Sequence, residues 1–192
     1  MYDLHHQVLR TDVSGMPLEW VNYQEAVRMY HLGQVAYSCG VLLYRVHGGI
    51  SARTGCQSRV DVNSIIATSG SNKLLIKTRD RYVPPLNNPA LFRRDAHLCM
   101  YCGERFQARD LSRDHVTPTS QNGRDIWTNV VTSCRRCNNR KADRHPEESG
   151  LELLAVPFVP NQYEFLYLSN HNVLSDQMEF LQARFSSHIK LS

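Results

Sequence analysis

Cys99-Met100-Tyr101-Cys102 and Cys134-Arg135-Arg136-Cys137 are two CxxC pairs with 31 residues between them, and they decide how the chain is read. A two-residue gap lets a tight knuckle present both sulfurs to one ion, and Gly103 directly after the first pair suits such a turn. Zinc takes four thiolates in a tetrahedron, with Zn–S near ~2.3 Å. One CxxC is compatible with a redox pair. Two of them predict a structural zinc site with Cys99, Cys102, Cys134 and Cys137 as ligands. Cys39 and Cys56 have no partner at ligand spacing and read as small apolar residues.

The rest of the composition is globular. At 192 residues, 42% hydrophobic and 21% charged, the chain suffices for one ordinary domain or a small core with appendages. That excludes a wholly disordered or fibrous protein. The longest apolar stretches, such as Val41-Leu42-Leu43-Tyr44, are too short to cross a bilayer, so no membrane partner is expected. Met1-Tyr2-Asp3-Leu4-His5-His6 lacks the basic-then-apolar order of a secretory leader. The expectation is a cytoplasmic protein whose cysteines stay reduced.

The net charge of +4 is unevenly spread. Residues 93–145 carry 11 Lys and Arg against 6 Asp and Glu, a net of +5, while the remainder nets −1. Ten of the eleven cations are arginine, the side chain best matched to phosphate. A solvated basic face and a polyanion-binding surface both fit that pattern. Four thiolates around one Zn²⁺ carry −2, which lowers the segment's effective charge to about +3 and assigns part of the arginine excess to the metal site.

Three segments are expected: an N-terminal α+β region of unknown role over 1–88, the basic cysteine-bearing domain over 89–150, and a helical extension over 151–192. Residues 17–33 read as a helix with Pro17 in its first turn and Gly33 at its end. Val41–Val46 and Val60–Ala67 read as strands, and Leu74–Ile76 as another short one. Pro84-Pro85 and Asn87-Asn88-Pro89 mark the break. His145-Pro146-Glu147-Glu148 starts a short helix through Leu154, and Asn161–Ile189 is helical.

Between the cysteine pairs stand Asp114-His115-Val116-Thr117-Pro118, a strand ending at proline, and Asn122-Gly123, a hairpin-turn signal. Trp127-Thr128-Asn129-Val130-Val131 follows, and then Asn138-Asn139-Arg140-Lys141 directly after Cys137. Taken in order, these elements resemble the HNH endonuclease family, in its four-cysteine zinc-knuckle branch of endonuclease VII type. The resemblance is specific over about 89–150.

It implies a ββα-metal, treble-clef-like core with the zinc site, which together with the expected N-terminal α+β region and helical C-terminal tail makes the fold class α+β. It implies a metal-dependent DNA endonuclease. Asp114 and Asn138 would hold the catalytic divalent ion, His115 would be the general base, and Asn129 would brace the loop that orients it. Many family members have histidine where this chain has Asn138. An oxygen-only Asp/Asn pair favours Mg²⁺ or Mn²⁺ over zinc or nickel.

The residues support that chemistry directly. Histidine titrates near neutrality and can take a proton from water at cellular pH. Lys141, three residues after Asn138 on one helical face, is placed to neutralise a transition-state phosphate. Arg124, Arg135, Arg136 and Arg140 are the expected contacts to the DNA backbone, which position without reading sequence. Residues 114 and 115 are neighbours on a strand, so a twist or bend is needed to bring ligand and base together. Read singly, His115 is a structural histidine, Asn138 a helix N-cap, Asn129 a turn residue and Lys141 a solvated cation. The alternatives to a nuclease are a catalytically silent zinc-stabilised DNA-binding module and a zinc-scaffolded protein-interaction domain. A homodimer is compatible with the sequence, which is silent on oligomeric state.

Overall fold

The computed structural model describes residues 6–50, 52–69 and 82–186. The chain forms two compact units: the residues through Tyr82 with Gln162–Arg184, and Val83–Asn161 with the chain from Phe185. The expected segmentation at 88 and 150 therefore differs from the observed one. Much of the anticipated C-terminal extension packs within the first unit.

That unit is built on a four-stranded sheet of order β2-β1-β4-β3, with β1 Val8–Asp12, β2 Pro17–Val21, β3 Val35–Ile50 and β4 Gln57–Thr68. β1 pairs antiparallel with β2, at Leu9↔Trp20, and parallel with β4, at Leu9↔Ile65. The helix expected over 17–33 is split. Pro17–Val21 is an edge strand, where a proline costs no ladder bond, and α1 covers only Tyr23–His31. Asn22 separates them by capping α1, its side chain accepting from the Glu25 amide at 2.9 Å. Val8, Val21, Ala26, Met29, Tyr44, Val62 and Ile66 form the core. The strands expected at 41–46 and 60–67 lie inside the longer β3 and β4. Leu74–Ile76 lies outside the described residues.

Among the described residues the tail holds two short helices, Gln162–Ser169 and Ser175–Gln182, not one long one, and the expected end at Ile189 lies outside them. The fully buried Gln177 donates to the carbonyls of Gln7 and Ser64 at 2.8 and 2.9 Å, fixing the last helix on the sheet. Asp176 accepts from the Val41 amide and the Ser64 hydroxyl. Gly40 is required there, because a Cβ would fall 2.0 Å from Ser64 Oγ.

The second unit begins with helix α2, Asn88–Arg94, capped by Asn87 and opened by Pro89. Its last residue, Arg94, is buried. It pairs with Asp95 at 2.8 Å and donates to the carbonyls of Trp127, Val130 and Phe158. Asp95 in turn accepts from the Thr132 amide at 2.8 Å. A buried arginine is tolerated because its donors are matched in this way. It is one of the ten arginines of the basic segment, spent on internal structure.

β5 Leu111–His115 and β6 Val130–Cys134 form an antiparallel pair running from Leu111↔Cys134 to His115↔Val130. α3, Arg135–Lys141, follows β6 directly. β5 ends at His115, three residues before the expected Pro118. Asn122-Gly123 is not a two-residue hairpin but part of the 116–129 loop. Gly123 serves close approach, since a Cβ would meet the Thr117 carbonyl oxygen at 1.8 Å. Beyond α3, the helix expected through Leu154 is one 3-10 turn, Glu147–Ser149.

Candidate active site

The four clustered cysteines come from two places in the chain. Cys99 and Cys102 sit on a knuckle closed by the Leu98↔Arg105 bridge and the Gly103 amide bonded to the Cys99 carbonyl at 2.9 Å. Gly103 takes φ +74°, which glycine adopts without strain. Cys134 ends β6 and Cys137 lies in the first turn of α3, its amide donating to Cys134 Sγ at 3.4 Å. The Met100 amide donates to the Thr132 carbonyl at 2.8 Å and holds the knuckle against β6. All four sulfurs lie within 4.8 Å of one another, with only Cys102 partly exposed. Tetrahedral ligation at ~2.3 Å requires sulfur separations of roughly 3.8 Å, so the cluster fits a zinc ion.

Its electrostatics call for a cation. Burial pushes the Cys137 thiol up, as do its bond to Cys134 and the charge of Cys99. Cys99 is itself raised by burial, but the backbone donors of Cys134, Cys102 and Tyr101 outweigh that and bring it down to about 7. Crowded thiols cannot all ionise without compensating positive charge. Arg136 supplies some of it: its guanidinium is held charged first by Glu104 and then by Cys137, Cys134 and Cys102.

Asp114 and His115 are adjacent on β5 and point to opposite faces. Pairing with β6 runs through both residues with no register shift, so no bulge brings them onto one face. Asp114 is buried, 5% exposed, on the side of α3. One carboxylate oxygen accepts from the Tyr101 hydroxyl, and the other pairs with Lys141 Nζ at 3.1 Å. Lys141 is 1% exposed and also donates to the His115 carbonyl at 2.7 Å. The expected reach of Lys141 toward a phosphate is therefore not what the structure shows, because the ammonium is turned inward. Burial and the Asp114 carboxylate together raise the Tyr101 phenol.

His115 is partly exposed on the opposite face, its Nε2 lying 2.9 Å from Asp125 Oδ1. Asn129 is where a bracing residue would stand. Its Oδ1 accepts from the Thr117 amide at 2.9 Å, and its Nδ2 donates to the carbonyls of Thr117 and Arg124 at 3.1 and 2.9 Å. Asn138 lies inside α3, whose N-cap is Cys134, and donates to Ser112 Oγ at 2.8 Å.

Ser112 and Asp114 share one face of β5, and Asn138 and Lys141 share one face of α3. Asp114 and Asn138 therefore face the same β5–α3 seam. The Lys141 ammonium on Asp114 shows that the carboxylate already takes a cation. Asp114 and Asn138 carry oxygen donors of the kind a hard divalent ion takes, and an ion on Asp114 would compete with Lys141.

Arg124, Arg135, Arg136 and Arg140 are all exposed. Arg136 and Arg140 line a cavity of about 590 Å³ beside Cys102 and Cys137. Arg135 donates to the Arg109 carbonyl at 3.0 Å. Three residues of the site escaped the sequence reading: Tyr101, Arg113 and Asp125. Tyr101 is hidden inside its CxxC and gives no signal. Arg113 was findable by strand alternation, two residues before His115. Asp125 lies on an irregular loop, and no spacing rule points to it.

Residues 99–154 match the family described as HNH endonuclease. The family is thus shown for this segment and not for the whole chain. The crystal structure of the type II-C Cas9 enzyme from Actinomyces naeslundii is similar over 57% of this chain, at 18% identity and a TM-score of 0.29. The alignment covers 14% of that chain. No curated protein matches. Among the described residues, no helix is long and apolar enough to cross a membrane.

Proposed function

We propose that the chain is a metal-dependent DNA endonuclease in which His115 is the general base and Asp114 and Asn138 hold one divalent ion, Mg²⁺ or Mn²⁺. What supports this is that Asp114 and Asn138 face one β5–α3 seam and that His115 is the last residue of β5, where a phosphate at the strand's end can reach both faces. His115 is oriented on the outer face of β5, and Asp114 and Asn138 face its seam with α3. The zinc cluster carries no chemistry in this reading. It pins β6 and the start of α3 to the knuckle and so sets the frame.

Hydrolysis breaks a water O–H bond, with the proton passing to His115 as the oxygen attacks phosphorus. The P–O3′ bond then breaks, and the 3′ oxygen takes a proton from solvent. A divalent ion held by Asp114 and Asn138 would supply positive charge to the reacting phosphate. Asn129 keeps Thr117 and Arg124 in place, and with them the loop beyond His115. Exposed Arg124, Arg135, Arg136 and Arg140 contact phosphates and position the duplex.

One observation favours a second reading. The Lys141–Asp114 pair neutralises the carboxylate without a metal, as a catalytically silent zinc-stabilised DNA-binding module would. Supercoiled-plasmid cleavage separates the two. Wild type is expected to nick or linearise DNA with Mg²⁺ or Mn²⁺ and not with EDTA, and His115→Ala is expected to be inactive. Tight DNA binding by a zinc-loaded wild type that never cleaves plasmid or branched DNA establishes the silent module instead.

A further inference from the structure

We infer that Asp125 is the positioning residue of His115: it holds the Nε2–H and leaves Nδ1 as the nitrogen that takes the proton from water. This rests on His115 being the base. Arg113 and His115 lie two apart on β5 and project to the same face, and Asp125 closes over both. Its Oδ2 accepts from Arg113 Nη1 at 2.6 Å, and its Oδ1 meets His115 Nε2 at 2.9 Å. Arg113 is anchored from behind, its Nε donating to Asn88 Oδ1 at 2.9 Å.

The chemistry of each member fixes the direction of every bond. A guanidinium only donates, and an ionised carboxylate only accepts. Arg113, followed by His115, keeps the Asp125 carboxyl below its ordinary range despite some desolvation, so it is ionised at neutral pH. The ring nitrogen facing it must then be the N–H. A neutral imidazole has one donor and one acceptor, which leaves the lone pair on Nδ1. When Nδ1 accepts the water's proton, the imidazolium forms beside a carboxylate.

Arg113 also makes the arrangement testable. In Asp125→Asn, the guanidinium turns the amide oxygen toward itself and presents the NH₂ to Nε2. Two donors cannot pair, so the ring moves its proton to Nδ1 and the basic nitrogen faces the wrong way. The expected result is a cleavage rate reduced by at least about 100-fold, with DNA affinity unchanged. Asp125→Ala, which loses orientation without imposing the wrong tautomer, falls less, and Asp125→Glu recovers part of the rate. Asp125 is 53% exposed, so these variants fold.

Nitrogen-15 NMR of the His115 ring reads the tautomer without any activity. Wild type is expected to carry the proton on Nε2, and Asp125→Asn on Nδ1. An unchanged tautomer, or Asp125→Asn cleaving at the wild-type rate, overturns the inference. A His115→Ala variant that cleaves like wild type overturns the base assignment, while the tautomer result still judges Asp125.

Discussion

The Lys141 ammonium lies 3.1 Å from the Asp114 carboxylate, with side chains 1% and 5% exposed, and this ion pair locks α3 onto β5. Removing one member strands a buried charge, at a cost of about 3–5 kcal/mol. Lys141→Met and Asp114→Ala are each expected to lose that much in urea denaturation. The double variant should be closer to wild type than the sum of the singles, since neither charge is left alone.

The same pair governs metal binding. A divalent ion on Asp114 must displace the ammonium or share the carboxylate with it. Lys141→Met is therefore expected to bind Mn²⁺ more tightly than wild type by calorimetry, and Mn²⁺ should return part of its lost stability. Asp114→Asn should bind less of the ion. Equal Mn²⁺ affinity in Lys141→Met and wild type would show that no divalent ion uses Asp114.

Zinc is expected at one ion per chain by elemental analysis. Cobalt substitution should give the visible spectrum of a four-thiolate tetrahedral site. Cys134→Ser should release the ion and unfold the second unit, because metal binding there is folding free energy.

Proton release should accompany zinc uptake, and its pH dependence has a defined sign. Cys99 has its thiol lowered to about 7, so its contribution to a thiolate site is present above that value and lost as pH falls through it. Chelator competition from about pH 6 to about pH 8 should show zinc affinity falling more steeply on the acid side, by one additional proton. An equal slope on both sides would mean that Cys99 stays protonated until the ion arrives.

Asn129 makes three hydrogen bonds across the loop, and no other residue type reproduces that set. Asn129→Ala is expected to cost about 1–3 kcal/mol, because it removes the side-chain partner of both the Thr117 amide and the Thr117 carbonyl. It should also slow cleavage while leaving zinc content intact. His115→Ala is the contrasting variant, abolishing cleavage with little change in stability.

The short-range signals were legible where chemistry demands fixed spacing. CxxC at 99 and 134 located the zinc cluster, because two sulfurs can meet one ion only across a tight turn. Asp114-His115 and Cys137-Asn138 placed the family segment. Periodicity misled at 17–33, where a strand, a capping Asn22 and a helix follow one another too closely for a helical pattern to separate them. It misled again in the tail, where helix 162–169 and helix 175–182 are apolar for the sake of a sheet more than a hundred residues away in sequence.

The residue types and their spacing determined the metal-binding knuckles, the candidate base and the family. Tertiary structure alone decided which charges are available. Lys141 is withdrawn from solvent onto Asp114, Arg94 is consumed by Asp95 and three carbonyls, and Asp125 is delivered to His115 by an irregular loop. The physical reason is range. Ligand spacing is a local property of backbone geometry, whereas the partner a charge finds depends on which strand and helix pack against it.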